Sequence, residues 1–129
     1  MSTYVKHIPA LLLAFEHLLG GQARITDKLT PSLYRRAVIN KGPGTVEALY
    51  PIIPVQDPVR HSNVVGLLMC LTGVLLAWPK TRATYAPLAL NTFLTGAGVY
   101  SQRQMRIPYW LPCVNMVLGA VVWWIENDA

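Results

Sequence analysis

The sequence predicts an all-α protein, a bundle of four transmembrane helices with one long basic loop that carries a short interfacial helix. Of its 129 residues, 53% are hydrophobic and 13% are charged, whereas charged residues usually make up about 25%. The apolar residues also fall into four runs, each about as long as a bilayer crossing. A soluble domain of this size has too little interior for so much apolar surface. Residues 1–129 are therefore predicted to form a single integral-membrane domain.

The four predicted spans cover about residues 4–20, 62–78, 85–101 and 109–125. Each is close to the lower length limit for crossing the hydrocarbon core. Tyrosine and tryptophan gather at the ends of the later spans, as they do at membrane interfaces. These residues are Trp78, Tyr85, Tyr100, Tyr109, Trp110, Trp123 and Trp124. The first run also resembles a signal peptide, but Glu16 and His17 interrupt its apolar centre and favour a retained helix.

Residues 21–61 form the long basic connection. A short amphipathic helix is predicted to begin at Thr30-Pro31-Ser32 and to end at Lys41-Gly42-Pro43-Gly44, with a further helical turn over residues 45–50. Prolines at 51, 54 and 58 then predict irregular backbone. At membrane depth such backbone is tolerated only against protein or a wet cavity, so this stretch is expected to form a lid or cavity wall.

The positive charge indicates membrane lipid rather than nucleic acid as the partner. The net charge is +5, and the basic residues lie between apolar runs, where they would face anionic headgroups. Eight lysines and arginines lie in residues 21–61 and 102–108, whereas three lie at Lys6, Lys80 and Arg82. This bias predicts a multi-pass protein with the long loop in the cytoplasm. The organelle and a homo-oligomeric state are left open.

Glu16 and His17 are the first candidates for chemistry, because ionisable residues inside a span are costly and usually functional. Adjacent helical residues point about 100° apart, so only one of them is expected to face a shared cavity. Glu16 is assigned that place as a general acid or base, and His17 a structural role. The alternative is that Glu16 only pairs with an arginine or accepts hydrogen bonds from another helix.

Asp57, Arg60 and His61 precede the second span. In one interpretation Asp57 caps the helix, Arg60 meets headgroups and His61 is interfacial. In the other they form a polar cluster at a cavity mouth, where Asp57 and His61 share a helix face and act in acid–base catalysis. Asp57 and His61 are therefore further catalytic candidates, and Arg60 is a substrate-binding candidate.

Asn91 and Asn115 lie inside the third and fourth spans and are expected to point inward, either as interhelical hydrogen bonds or as substrate ligands. Tyr100 is a further substrate-binding candidate that also suits interfacial anchoring. Cys70 and Cys113 are interpreted as small core residues. Their spacing matches no metal site, and no cofactor or metal is predicted.

Two stretches carry a family resemblance: YPIIPVQDPVRHSNVVGLLMCLTG and, shortly after it, LLAWPKTR. They resemble small membrane proteins of fungal biosynthetic clusters, some of which are similar to epoxide hydrolases and cyclases of polyketide pathways. The four-helix plan is similar to the DoxX-like group. The resemblance implies a tailoring enzyme that opens or cyclises epoxides of a hydrophobic polyketide-type substrate. A non-catalytic DoxX-like subunit or scaffold is the alternative.

Overall fold

The computed structural model describes residues 5–128, and over this range the chain is helical with no strand. The all-α prediction is confirmed. Four long helices form a bundle: α1 (Ile8–Ile25), α4 (Pro58–Ala77), α6 (Tyr85–Gln104) and α7 (Trp110–Asp128). Shorter helices join them: α2 (Pro31–Tyr34), α3 (Gly42–Leu49) and α5 (Pro79–Arg82). The start predicted for the first span, at Tyr4, lies outside the described residues.

The helices begin where local chemistry favours it. Asp57 caps α4 by accepting a hydrogen bond from the Val59 amide at 3.1 Å, and Pro58 occupies the first helical position. Helix α6 ends in a Schellman turn, in which the Ile107 amide donates to the Gln102 carbonyl and Arg106 adopts a left-handed φ of 58°. The capping interpretation of Asp57 is thus confirmed.

Helices α1 and α4 form the tightest pair of the bundle through small residues. A Cβ added to Gly66 would lie 2.7 Å from the Gly21 carbonyl oxygen, and one added to Gly73 would lie 3.0 Å from the Ala14 carbonyl oxygen. These contacts show that the two helices run antiparallel. They also show that their backbones approach as closely as the absence of side chains allows.

The core is small, whereas the outer surface is strongly apolar. Ala10, Leu13, Ala14, Leu76 and Val122 form the buried cluster. Large apolar side chains project outward from the long helices, including Phe15, Leu67 and Val117 at 61%, 62% and 65% exposure. Apolar exposure on this scale is characteristic of an interaction surface rather than of a monomer in water.

The long connection folds against the bundle. After α2 the chain forms a π-helical segment, Arg35–Asn40, which is followed directly by α3. Val38, Val46 and Leu49 are buried. The predicted short helix is present and ends at Asn40, as expected from the glycine–proline stretch, which also begins α3 because Pro43 fits the first turn of a helix.

At the end of the bundle opposite the long connection, Arg82 forms hydrogen bonds to His7 and Glu126, which links three distant parts of the chain. The Arg82 guanidinium donates to the His7 Nδ1 at 2.7 Å, to the Leu76 carbonyl at 2.7 Å and to Glu126 at 3.4 Å. Arg82 is only 3% exposed. We call these three residues the Arg82 cluster.

Within residues 5–128, one helix is long and apolar enough to cross a membrane by length and composition, namely α4. In helix α1 the polar residues Glu16, His17, Gln22 and Arg24 interrupt the apolar sequence. The predicted boundaries also shift, because α1 continues beyond Gly20 to Ile25 and α4 begins at Pro58.

Candidate functional site

A cavity of about 490 Å³ lies between the four long helices and the folded connection. Its walls come from α1, α4, α6 and α7, and the segment from Leu33 to Ile53 covers one end. This volume is typical of sites for small molecules, which occupy about 300–1,000 Å³. The proline-rich stretch of residues 51–58, predicted to form a lid or cavity wall, contributes Ile53 to the lining, whereas the rest of the wall from the connection comes from residues 33–49.

Glu16 and His17 both border the cavity. The expectation that only one of them would do so is wrong. The cavity is wide enough to span the roughly 100° that separates neighbouring side chains on α1. Glu16 is partly exposed, whereas His17 is 4% exposed.

A hydrogen-bond chain fixes the His17 ring. His17 Nε2 lies 2.7 Å from Asn91 Oδ1, and the Asn91 amide nitrogen donates to the Asn115 main-chain carbonyl at 3.1 Å. Because that carbonyl can only accept, Asn91 Oδ1 faces His17 and Nε2 must carry the proton. In the neutral ring Nδ1 is then an unprotonated base.

Gly119 makes this chain possible, because a Cβ at this position would collide with the Asn91 amide nitrogen. Asn91 itself is 1% exposed and does not line the large cavity. It therefore lies behind the cavity wall as a positioning residue. Asn115, by contrast, lines the cavity.

His61 lines the cavity at another level. Gly66 on α4 lies opposite Gly21 on α1. His61 precedes Gly66 by five residues, and Glu16 precedes Gly21 by five residues. Because the two helices are antiparallel, His61 and Glu16 lie on opposite sides of this crossing. At 1.5 Å per residue, the two side chains originate about 15 Å apart along the helix axes. The structure therefore separates the acid at Glu16 from His61.

Buried polar atoms without a partner gather around this cavity. Within the described residues they are Glu16 Oε2, His17 Nδ1, Gln22 Oε1, His61 Nε2 and Asn115 Oδ1. All of them except Gln22 Oε1 belong to cavity-lining residues. Leaving a buried polar atom unpaired costs about 1–3 kcal/mol, so such a concentration makes this cavity the candidate binding site, where water or a ligand would pair with these atoms.

Several predicted site residues lie away from the cavity. Asp57 and Arg60 are exposed at the start of α4, and Tyr100 is exposed on α6. None of the three lines the cavity. Asp57 is engaged as the helix cap instead. The structure thus brings together Glu16, Asn115 and, further along, His61.

The structure also adds lining residues that were not among the candidates. Arg24, Arg36 and Lys41 contribute positive charge, and Thr95, Ser101 and Gln102 contribute polar groups from α6. A sequence signal for Arg24 exists: it follows His17 by seven residues, which is two helical turns on the same face. Arg36 and Lys41 carry no such signal, because they depend on how the connection folds back.

The cysteines do not contribute to this site. Both are free thiols, with Cys70 half-buried against Gly21 and Cys113 exposed. The core interpretation of Cys113 is therefore wrong. Across the described residues, no group of three or more His, Cys, Asp or Glu side chains is arranged to hold a metal ion.

No protein-family model, curated protein or solved structure matches this chain.

Proposed function

We propose that this protein is a multi-pass membrane enzyme in which α1, α4, α6 and α7 cross the bilayer and the cavity between them performs acid–base chemistry on an apolar molecule. Helices of 18 to 20 residues span about 27–30 Å, which matches the hydrocarbon core. The outward apolar side chains of these helices support contact with lipid.

The polar residues of α1 and α6 that line the cavity are compatible with this arrangement because they face inward. Glu16, His17 and Arg24 line the cavity on α1, and Thr95 and Gln102 do so on α6. Hydropathy averaged along a helix cannot distinguish an inward polar face from an outward one. Ionisable groups of membrane proteins commonly face such interior cavities.

The observation that carries the proposal is a group of buried atoms on cavity-lining residues that have no hydrogen-bond partner among the described residues: Glu16 Oε2, His17 Nδ1 and Asn115 Oδ1. A carboxylic acid can donate a proton, an unprotonated imidazole nitrogen can accept one, and an amide oxygen can orient a water molecule. These are the groups that opening an epoxide requires, and the resemblance to epoxide hydrolases and cyclases suggests that reaction.

In the proposed reaction, the Asn115 amide oxygen orients a water molecule, and His17 Nδ1 removes its proton as the water oxygen bonds to one epoxide carbon. The bond from that carbon to the epoxide oxygen breaks, and protonated Glu16 donates its proton to this oxygen. The product is a vicinal diol. Proton transfer from the imidazolium to the carboxylate restores both groups. An internal hydroxyl in place of water would yield a cyclic ether.

The test is turnover of an epoxidised polyene by the protein in nanodiscs, with product analysis by mass spectrometry. We expect Glu16→Gln to reduce turnover by about 100-fold or more, as removal of a general acid does. His17→Gln retains a donor for Asn91 but lacks the base, so we expect a similar loss.

Asp57→Asn serves as the matched control, because it alters a carboxylate outside the cavity. It should retain wild-type turnover. Full turnover by a correctly folded Glu16→Gln variant would contradict the acid role. A wild-type protein that opens no epoxide would favour the non-catalytic subunit.

A further inference from the structure

The cavity has a chemically distinct end formed by Arg24, Arg36, Lys41 and His61, which we call the basic end. All four residues line the cavity. Arg36 and Lys41 come from the folded connection, Arg24 from the last turns of α1, and His61 from the first turn of α4. The long connection is thus what brings positive charge over this part of the cavity.

These cations have no carboxylate partner in the part of the chain that the structure describes. The ion pair found there is Arg82–Glu126, at the other end of the bundle. Arg24 directs one nitrogen to the Gly20 carbonyl at 3.0 Å, and a guanidinium has five N–H donors. Glu16, the carboxylate that lines the cavity, lies eight residues before Arg24, about 12 Å along α1.

His61 supplies an independent indication of a ligand at the same end. His61 is 2% exposed, and its Nε2 is buried with no hydrogen-bond partner among the described residues. A ligand atom within the cavity would satisfy it.

Apolar side chains also line the cavity, among them Leu49, Val65, Met69, Phe93 and Leu111, beside the polar groups of Thr95, Ser101 and Gln102. The apolar part of the lining suits a hydrocarbon chain. Charge at one end and apolar surface elsewhere in the lining define an amphiphile with one anionic end.

We propose that the substrate is an anionic amphiphile whose acidic headgroup binds at the basic end and whose apolar chain extends toward Glu16 and His17. This rests on the proposed function only in treating the cavity as the substrate site. The roughly 15 Å between the levels of His61 and Glu16 then sets the distance from the headgroup to the reacting carbon. Binding of the headgroup would thereby select which position along the chain reacts.

The test is equilibrium binding of cis-parinaric acid, a fluorescent polyene acid, and of its methyl ester to the full chain in phosphatidylcholine nanodiscs. Empty nanodiscs provide the partition correction. We expect the acid to bind about tenfold more tightly than the ester, a difference of about 1.4 kcal/mol. Equal affinities would overturn the proposal.

Variants of the basic residues test where on the protein the carboxylate of the acid binds. Arg36→Gln combined with Lys41→Gln changes exposed side chains and should reduce the preference for the acid, with Arg24→Gln reducing it further. Arg24→Lys, which keeps the charge, should restore part of it and controls for misfolding. Arg103→Gln with Arg106→Gln, exposed cations that do not line the cavity, should leave it unchanged. If the Arg103→Gln, Arg106→Gln variant lost the preference for the acid while the variants of the basic end kept it, the anion would bind at the surface and the proposal would be refuted.

Two further measurements separate the possible sources of the anion and the two proposals. Phosphatidylglycerol in the nanodisc would abolish the acid preference if the basic end held a membrane lipid headgroup, and that result would overturn a substrate role. Glu16→Gln should keep the acid preference while losing turnover. A preserved preference without any epoxide turnover would refute the proposed reaction and leave the binding inference intact.

Discussion

The Arg82 cluster and the cavity are both polar regions of an otherwise apolar bundle, but they satisfy their polar groups differently. Arg82 donates to a histidine, a carboxylate and main-chain carbonyls, at distances of 2.7 to 3.4 Å. Around the cavity, Glu16, His17, His61 and Asn115 each keep a buried atom that has no partner within residues 5–128. Polar residues that only stabilise a fold are normally paired. The contrast therefore separates a structural cluster from the proposed binding site.

The largest expected effect on stability comes from disrupting the Arg82 cluster. Arg82→Met would leave Glu126 and the Leu76 and Ala77 carbonyls without their donor. Breaking a buried ion pair by removing one partner costs about 3–5 kcal/mol. We expect a loss near the lower bound, since Glu126 is partly exposed. Unfolding in detergent measures it. Arg103→Met, on an exposed residue, should have little effect, and equal losses in both variants would show that Arg82 is not a structural anchor.

Asn91 links the two kinds of region, because it is fully paired yet holds a cavity residue. Asn91→Leu would remove its bonds to His17 and to the Asn115 carbonyl. We expect the free energy of unfolding to fall by about 2 kcal/mol. We also expect the folded variant to lose turnover, because the His17 proton would no longer be held on Nε2. Thermal unfolding and turnover are measured together, with Thr92→Ala on the exposed face as the control. Unchanged turnover in folded Asn91→Leu would argue against His17 as the base.

The close packing of α1 and α4 fixes the relative position of two helices that line the cavity. Gly66→Ala would place a Cβ 2.7 Å from the Gly21 carbonyl oxygen, and overpacking of this kind costs about 1–3 kcal/mol. Gly96→Ala is the matched control, since its Cβ would meet the Met116 methyl at an ordinary 3.8 Å. Denaturation should show a loss for Gly66→Ala alone. Equal stability of the two variants would indicate that the helices are free to separate.

The smallest effect is expected at Asp57, a carboxylate that belongs to neither region. Asp57→Ala removes the cap of α4 and should cost about 1 kcal/mol. Turnover should remain at the wild-type level, because Asp57 does not line the cavity. A variant that folds but fails to turn over substrate would show that Asp57 takes part in the acid–base chemistry.

Local patterns in the sequence predicted much of this molecule. The helical class followed from the apolar runs, and the Asp57 cap followed from its place directly before Pro58. Glu16 and Asn115 were recognised because polar groups inside apolar runs need a reason to be there. Each of these inferences depends on neighbours within a few residues.

The cavity itself required the tertiary structure. His17 was expected to be structural, and its free Nδ1 becomes apparent only once Asn91, 74 residues away, defines its tautomer. Arg36 and Lys41 become cavity residues only because the connection folds across the bundle. His61 and Glu16 were both catalytic candidates in the sequence, but the antiparallel crossing of α1 and α4 separates them.

The sequence by itself thus determined the helices, their caps and the presence of costly polar groups within them, because helix formation and burial preference depend on local spacing and composition. Only the tertiary structure decided which of those groups are paired and which face a common cavity. The physical reason is that hydrogen-bond satisfaction between helices depends on their crossing points and rotation, which small residues such as Gly21, Gly66 and Gly119 set through contacts distant in the chain.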